Sequence, residues 1–240
     1  MIHFFRGDWM SKHIVMIEDE EAIAENYRNL LSKKGFEVSI YNDKESAMSA
    51  LSGPLPDLVL VDIGLGDDED AGFDICNQLR ARSQTLPIVF LTARDEEYDQ
   101  ISGVRFGADD YQIKTTPTHM VIMRIQALLR RVEAFKSANQ DQGEIVNGRL
   151  SINADCMQVK WQEKVINLTV TEFWMVKSLT DRIGQVKTKD QLREAASTVV
   201  EDNTITAHIR RIRNKFLTVD KDFDQIETVT ATGYRWKKEA

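Results

Sequence analysis

The sequence predicts an α/β chain in two parts: a doubly wound parallel sheet, then a smaller domain of short strands and three helices. Three observations predict it. Apolar runs alternate with amphipathic stretches five times between His13 and Glu133, the pattern of repeated strand–helix crossovers. One run, Leu58-Val59-Leu60-Val61, lies unbroken between Asp57 and Asp62 and reads as a strand buried on both faces. Beyond Glu133 the chain turns polar as far as Glu144, a linker of about ten residues. The division is therefore an extension (1–11), a first domain (12–134), a linker (135–144) and a second domain (145–240).

Charge divides along the same line. The 240 residues carry a net charge of −7, with −9 over residues 11–134 and +2 over residues 135–240. The acidic half is a poor nucleic-acid surface, and any such surface in the second half must be local. No apolar run nears the roughly 18–20 residues that span a bilayer. The start, Met1 to Trp9, lacks the apolar core and cleavage site of a secretory signal, and Met10 is a candidate start. Cys76 and Cys156 fall in different halves and read as packing residues of a reduced cytoplasmic protein without disulfides.

In chain order, His13–Ile17 is a strand ending on Glu18-Asp19-Glu20-Glu21. A helix follows, with Ile23, Tyr27, Leu30 and Leu31 at helical spacing and Gly35 as its stop. Phe36–Tyr41 is a strand, and Lys44–Leu51 a helix broken by Gly53 and Pro54. After the buried strand come a helix at Phe73–Arg82 and a strand at Pro87–Leu91 that ends on Thr92. A helix over 95–105 and a strand at Asp110–Ile113, ending on Lys114, follow. The last helix, Thr118–Glu133, turns Val121, Ile125, Leu128 and Leu129 inward.

In an open parallel sheet the carboxyl ends of the strands carry the ligand site. Glu18, Asp19, Asp62, Thr92 and Lys114 collect there. A lone strand-end aspartate is as often solvated as functional, but an ordered set at four of five strand ends is a stronger signal. Crowded carboxylates need a cation, and hard oxygen ligands with open positions suit Mg²⁺. Asp62 then becomes an aspartyl nucleophile toward a phosphoryl group, with Thr92 and Lys114 binding the phosphoryl oxygens.

The segments IEDE, LVLVD, FLTAR and GADDYQIK resemble the receiver domain of two-component systems over about residues 12–134. The resemblance implies a flavodoxin-like sheet of order 2-1-3-4-5. It implies phosphorylation of Asp62 by a sensor histidine kinase, with Mg²⁺ held by Asp19, Asp62, the Gly64 carbonyl and, through water, Glu18. Thr92 and Tyr111 are the implied switch pair, the ring turning inward as the hydroxyl follows the phosphate. Packing on the sheet is the plainer reading of Tyr111. Asp109, Asp110, Met120 and Arg124 occupy the implied dimer face.

Three features depart from that pattern. The loop Gly66–Gly72 lacks the usual proline, is longer and is strongly acidic; it reads as a solvated loop or as a tuner of the metal site or of kinase choice. Thr115 follows Lys114 where receivers carry a cis proline. A trans bond is expected, because a cis bond costs about 3–4 kcal/mol without proline. Met120 stands where the dimer face usually has a glutamate, which weakens a salt-bridged dimer.

In the second half, Arg149–Ile152, Gln158–Trp161 and Val165–Leu168 are short strands. Thr169 and Glu172 form a capping box for a helix carrying Phe173, Val176, Leu179 and Ile183 and ending at Gly184. A second helix starts at Thr188 or Lys189 and contains Leu192 and Ala195. The third starts at Asp202-Asn203, good caps, and buries Ile205, Ile209, Ile212 and Phe216. At about 100° per residue, Thr204, Ala207, Arg211 and Asn214 point away from that stripe. Arg210 and Arg213 flank it on one side, His208 and Lys215 on the other. Between Thr204 and Leu217 there are four Lys/Arg and no acid. A solvated amphipathic face is the bland alternative. Against it stands the tail, a hairpin of Thr228–Thr230 and Tyr234–Trp236 about Ala231-Thr232-Gly233. A recognition helix followed by a wing binds DNA.

LTVTEFWMV, GQVKTKDQL, TITAHIRRIRNKF and ETVTATGYRW resemble the winged helix-turn-helix of OmpR/PhoB-type regulators. The resemblance implies that the third helix enters the major groove of double-stranded DNA. Thr204, Ala207 and Arg211 then face base edges, and His208, Arg210, Arg213 and Lys215 face phosphates. The wing residues Thr230, Thr232, Tyr234 and Arg235 lie at the minor groove. Thr230-Ala231 replaces the usual arginine and glycine, so a different minor-groove contact is expected. DIGLGD, TEFWMV and VVEDNTITAHI are also similar to the regulator that accompanies sortase systems in proteobacteria.

The chain thus reads as a cytoplasmic response regulator. Phosphorylation of Asp62 favours a homodimer on promoter DNA, with RNA polymerase as a further partner and no membrane attachment. A constitutive, phosphorylation-independent DNA-binding dimer is a second reading, motivated by Thr115 and Met120. An Mg²⁺-dependent aspartyl-phosphate phosphohydrolase is a third. Such enzymes carry an acid two residues after the nucleophile, where this chain has Gly64.

Overall fold

The computed structural model describes residues 12–93, 106–137, 145–196 and 202–238. The expected extension, the helix over 95–105 and most of the linker lie outside them. The first domain runs β1 (His13–Ile17), α1 (Glu21–Ser32), β2 (Glu37–Tyr41), α2 (Lys44–Ala50), β3 (Leu58–Val61), α3 (Ala71–Arg82), β4 (Ile88–Thr92), β5 (Asp110–Ile113) and α4 (Thr118–Ser137). Its sheet is parallel, in the order β2-β1-β3-β4-β5.

The unbroken apolar run behaves as its composition requires. Leu58 and Leu60 enter one core cluster while Val59 and Val61 enter the other, on the opposite face of the sheet. All four are fully buried, each contributing roughly 1.5–3 kcal/mol. α4 continues beyond Glu133 into the segment expected to be linker. Among the described residues no helix is long and apolar enough to cross a membrane.

In the second domain, β6 (Ile145–Asn147), β7 (Leu150–Asn153), β8 (Gln158–Trp161) and β9 (Lys164–Ile166) form an antiparallel sheet. Three helices follow: α5 (Val170–Thr180), α6 (Lys189–Ala196) and α7 (Asp202–Leu217). β10 (Lys187–Thr188) joins the hairpin of β11 (Ile226–Val229) and β12 (Gly233–Trp236). The capping box forms as expected: Glu172 N–H donates to Thr169 Oγ1 at 3.4 Å, and Thr169 N–H to Glu172 Oε2 at 2.8 Å, a cap of about 1 kcal/mol. Trp161, Phe216, Phe223 and Trp236 pack edge-on or stacked at the centre of the core. Both cysteines are free; Cys76 is buried, but Cys156 is exposed, so the expected packing role does not hold for it.

The two domains touch. Val170, the first residue of α5, is fully buried in the first domain's cluster with Val121 and Leu129 of α4.

Candidate functional site

Because the strands are parallel, their carboxyl ends share one rim. There Lys114 Nζ lies 2.7 Å from Glu18 Oε1, 2.7 Å from Asp62 Oδ2 and 2.9 Å from Glu20 Oε1. Carboxylate oxygens of Glu18, Asp19 and Asp62 lie within 4.8 Å of one another. Ile63 N–H donates to Asp62 Oδ1 at 2.6 Å, and Gly66 N–H to Asp19 Oδ2 at 3.0 Å. Burial pushes the Glu18 carboxyl up to about 7, against the downward pull of Lys114. Burial acts to lower Lys114, yet its hydrogen bonds to Asp62, Glu18 and Glu20 leave it raised. Glu18 Oε2 is buried with no hydrogen-bond partner among the described residues. An orphaned carboxylate oxygen among three clustered acids fits a hard divalent cation.

Gly64 opens the loop beyond Asp62. The acidic run there is a closed turn rather than a loose loop. Leu65 N–H donates to Asp68 O at 3.0 Å, Gly66 takes φ +60°, and its amide pins the turn to Asp19. The Lys114–Thr115 bond is trans, as expected. Thr92 is buried at the end of β4. Tyr111 is buried too, its ring already inward at 6.3 Å from Phe90 and edge-on. Sequence reasoning left Glu20 out of this site; its only signal is its place two residues after Glu18.

The expected dimer face is altered. Gln112 links Asp110 to Arg124, accepting from Arg124 Nη1 and donating to Asp110 Oδ2 at 2.7 Å. Met120 and Met123 are exposed beside them. Asp109 was expected on this face and is not there. It is buried at the entry of β5, held by Arg80 Nη2 at 2.7 Å and Ile88 N–H at 3.1 Å.

On α7 the core stripe Ile205, Ile209, Ile212 and Phe216 is buried as expected. Thr204, expected to point away from it, is fully buried instead, and so is His208. Spacings of four, three and four put Thr204, His208, Arg211 and Lys215 on a second stripe. Arg211 and Lys215 of that stripe face Glu172 of α5, and Arg211 also reaches Gly107 of the first domain, contacts which a single-helix projection omits. Arg211 Nε lies 3.4 Å from Glu172 Oε1, and Lys215 Nζ 2.5 Å from Glu172 Oε2. Burial alone would raise Glu172, but the Lys215 and Arg211 charges hold it below the usual carboxylate range. Arg210 is exposed and Ala207 half-buried.

Arg213 turns from the expected phosphate side to the hairpin. Its Nη2 donates to Ile226 O at 2.8 Å and to Thr228 Oγ1 at 2.8 Å. Tyr234 is also corrected: it is buried, with its hydroxyl 3.2 Å from Thr206 Oγ1, tying the hairpin to α7. Arg235 pairs with Glu227. Thr230 and Thr232 stay exposed at the tip, where Ala231 takes φ +58°.

Comparison with known proteins agrees with both halves. Residues 14–126 match the response regulator receiver domain, and residues 162–236 the C-terminal domain of transcriptional regulatory proteins. The transcriptional regulatory protein CreB of Escherichia coli is 32% identical over 222 residues, covering 91% of this chain and 95% of that one. The alkaline phosphatase synthesis transcriptional regulatory protein PhoP of Bacillus subtilis is 32% identical over 234 residues, covering 94% and 97%. Among solved structures, a cysteine-to-aspartate mutant of RitR superposes with a TM-score of 0.70 at 25% identity, over 95% of this chain and all of that one.

Proposed function

Because the chain belongs to the OmpR/PhoB family of two-component response regulators, DNA-binding proteins that control transcription rather than enzymes, we propose that Asp62 is its phosphoacceptor. The observation that carries this is the Lys114 ammonium set between Asp62 and Glu18 beside the orphaned Glu18 oxygen. A sensor histidine kinase supplies the group. An Asp62 carboxylate oxygen forms the new bond to phosphorus as the phosphorus–nitrogen bond of the kinase histidine breaks and the nitrogen keeps the electron pair. Lys114 and the Thr92 hydroxyl hold the phosphoryl oxygens. Mg²⁺ at Glu18, Asp19, Asp62 and the Gly64 carbonyl supplies charge neutralisation when bound. Tyr111 completes the switch beside Thr92.

The phosphorylated chain dimerises in the cytoplasm through the face of Asp110, Met120 and Arg124. Two winged helices then meet promoter DNA beside RNA polymerase. Ala207 and Arg211 read bases, while Arg210 and Lys215 meet phosphates and Thr230 and Thr232 the minor groove. DIGLGD, TEFWMV and VVEDNTITAHI support a narrower place beside sortase systems. The test is DNA retardation by the full chain with Mg²⁺, with and without beryllofluoride as phosphoryl mimic. Tighter binding with the mimic is expected; equal binding contradicts phosphorylation control and favours a constitutive DNA-binding dimer.

A further inference from the structure

We propose that the cleft between α4 of the first domain and α5 and α6 of the second binds a small organic phosphate carrying a flat aromatic ring, the chemistry of a nucleoside monophosphate. The cleft holds about 480 Å³, within the roughly 300–1,000 Å³ of small-molecule sites. Helical spacing builds its walls. Ala127, Arg130 and Arg131 stand three and four residues apart on one face of α4, and Trp174, Lys177 and Ser178 repeat that spacing on α5. Ala195 of α6 lines a third side, and the two alanines leave room between the longer side chains. None of these residues belongs to the acid cluster or to the expected DNA face.

The lining is cationic. Arg130, Arg131 and Lys177 line it against one carboxylate among the described residues, Asp181, which Lys177 already meets at 3.0 Å. That i, i+4 pair, with Asp181 half-exposed, is of a kind worth little, and Lys177 keeps further donors for a ligand. Arg131 is held in place. Its Nη2 donates to Glu194 O at 2.8 Å, and its guanidinium stands 5.0 Å from the centre of the Trp174 ring. Burial and the Arg130 charge pull Arg131 below its ordinary value, so like charges are held together here and an anion relieves them. A surplus of two positive charges matches a phosphate monoester, about −1.5 to −2 at neutral pH, better than a carboxylate. Guanidinium forks and an ammonium suit its oxygens. Trp174 serves the ring. It packs against the core clusters of both domains, which makes its indole a stiff flat wall for stacking or edge contact. A bare phosphate needs neither the indole nor the volume. A ligand seated here touches both domains and gives the regulator a chemical input that does not pass through Asp62.

The test is calorimetric titration of the full chain in chelator, which keeps Mg²⁺ from drawing phosphate to the acid cluster. The probes are adenosine monophosphate, adenosine, benzoate and inorganic phosphate. Saturable one-to-one binding of adenosine monophosphate is expected, with the other three at least roughly tenfold weaker. Arg130→Gln and Lys177→Gln are each expected to weaken it about tenfold at unchanged melting temperature. The nucleotide is expected to change the tryptophan emission of wild type but not of Trp174→Phe. No binding by any probe overturns the site. Equal affinity in wild type and both charge variants overturns it too, because the nucleotide would then sit elsewhere. Inorganic phosphate or benzoate binding as tightly as the nucleotide overturns the ligand class.

Discussion

The Lys114 ammonium stands 2.7 Å from the Asp62 carboxylate, from the far end of a strand two positions across the sheet. Parallel pairing makes this meeting, since β3 and β5 both end at the rim on either side of β4. Lys114 also answers Glu18 and Glu20, so one cation offsets several acids while its side chain is only 10% exposed.

Lys114→Ala leaves those acids without their cation. Removing one partner of a largely buried pair costs about 3 kcal/mol. Thermal unfolding in chelator is expected to show that loss, with Mg²⁺ raising the melting temperature of the variant more than that of wild type. Equal melting temperatures in chelator would contradict the role assigned to Lys114.

His208 sets a pH dependence. Burial lowers it to about 4, with Glu172 and Asp109 raising it and Arg211 and Lys215 lowering it further. Exposed in the unfolded chain, it titrates at its ordinary value of about 6.5. Between those values the unfolded chain binds more protons, so stability rises with pH and is lost as pH falls from about 6.5 toward 4. His208→Gln is expected to flatten the melting temperature across that window. Parallel curves for wild type and variant would refute the assignment.

Ala231, at φ +58°, holds a backbone that L-residues adopt at a cost of roughly 1–2 kcal/mol. Ala231→Gly is expected to stabilise the domain by up to about 1 kcal/mol, the larger unfolded-state entropy of glycine offsetting part of the gain. A lower denaturation midpoint would show that the Ala231 methyl makes contacts worth more than the strain.

Much of the receiver was legible in the sequence because its signals are local. The Leu58–Val61 run can be buried only from both faces, and acids, hydroxyl and lysine sit at strand ends that parallel topology brings together. The capping box of Thr169 and Glu172 was readable for the same reason. What escaped depends on distant partners. Asp109 was placed on the dimer face because nothing at its position signals Thr171, which arrives 62 residues later. Thr204 projected outward on an isolated helix and His208 onto its flank, and both are buried in the folded chain. Gln112 read as an ordinary strand residue until the fold set it between Asp110 and Arg124. Strands as short as β6 and β10 carry too few residues to show a period.

The central claim is that Asp62 accepts a phosphoryl group under the hold of Lys114. The most direct measurement is the intact mass of the full chain after incubation with Mg²⁺ and acetyl phosphate, beside Asp62→Ala. The account predicts a gain of one phosphoryl group in wild type and none in the variant. An equal gain in both proteins would place the acceptor elsewhere, and no gain in wild type, even with a phosphorylated histidine kinase present, would contradict the claim.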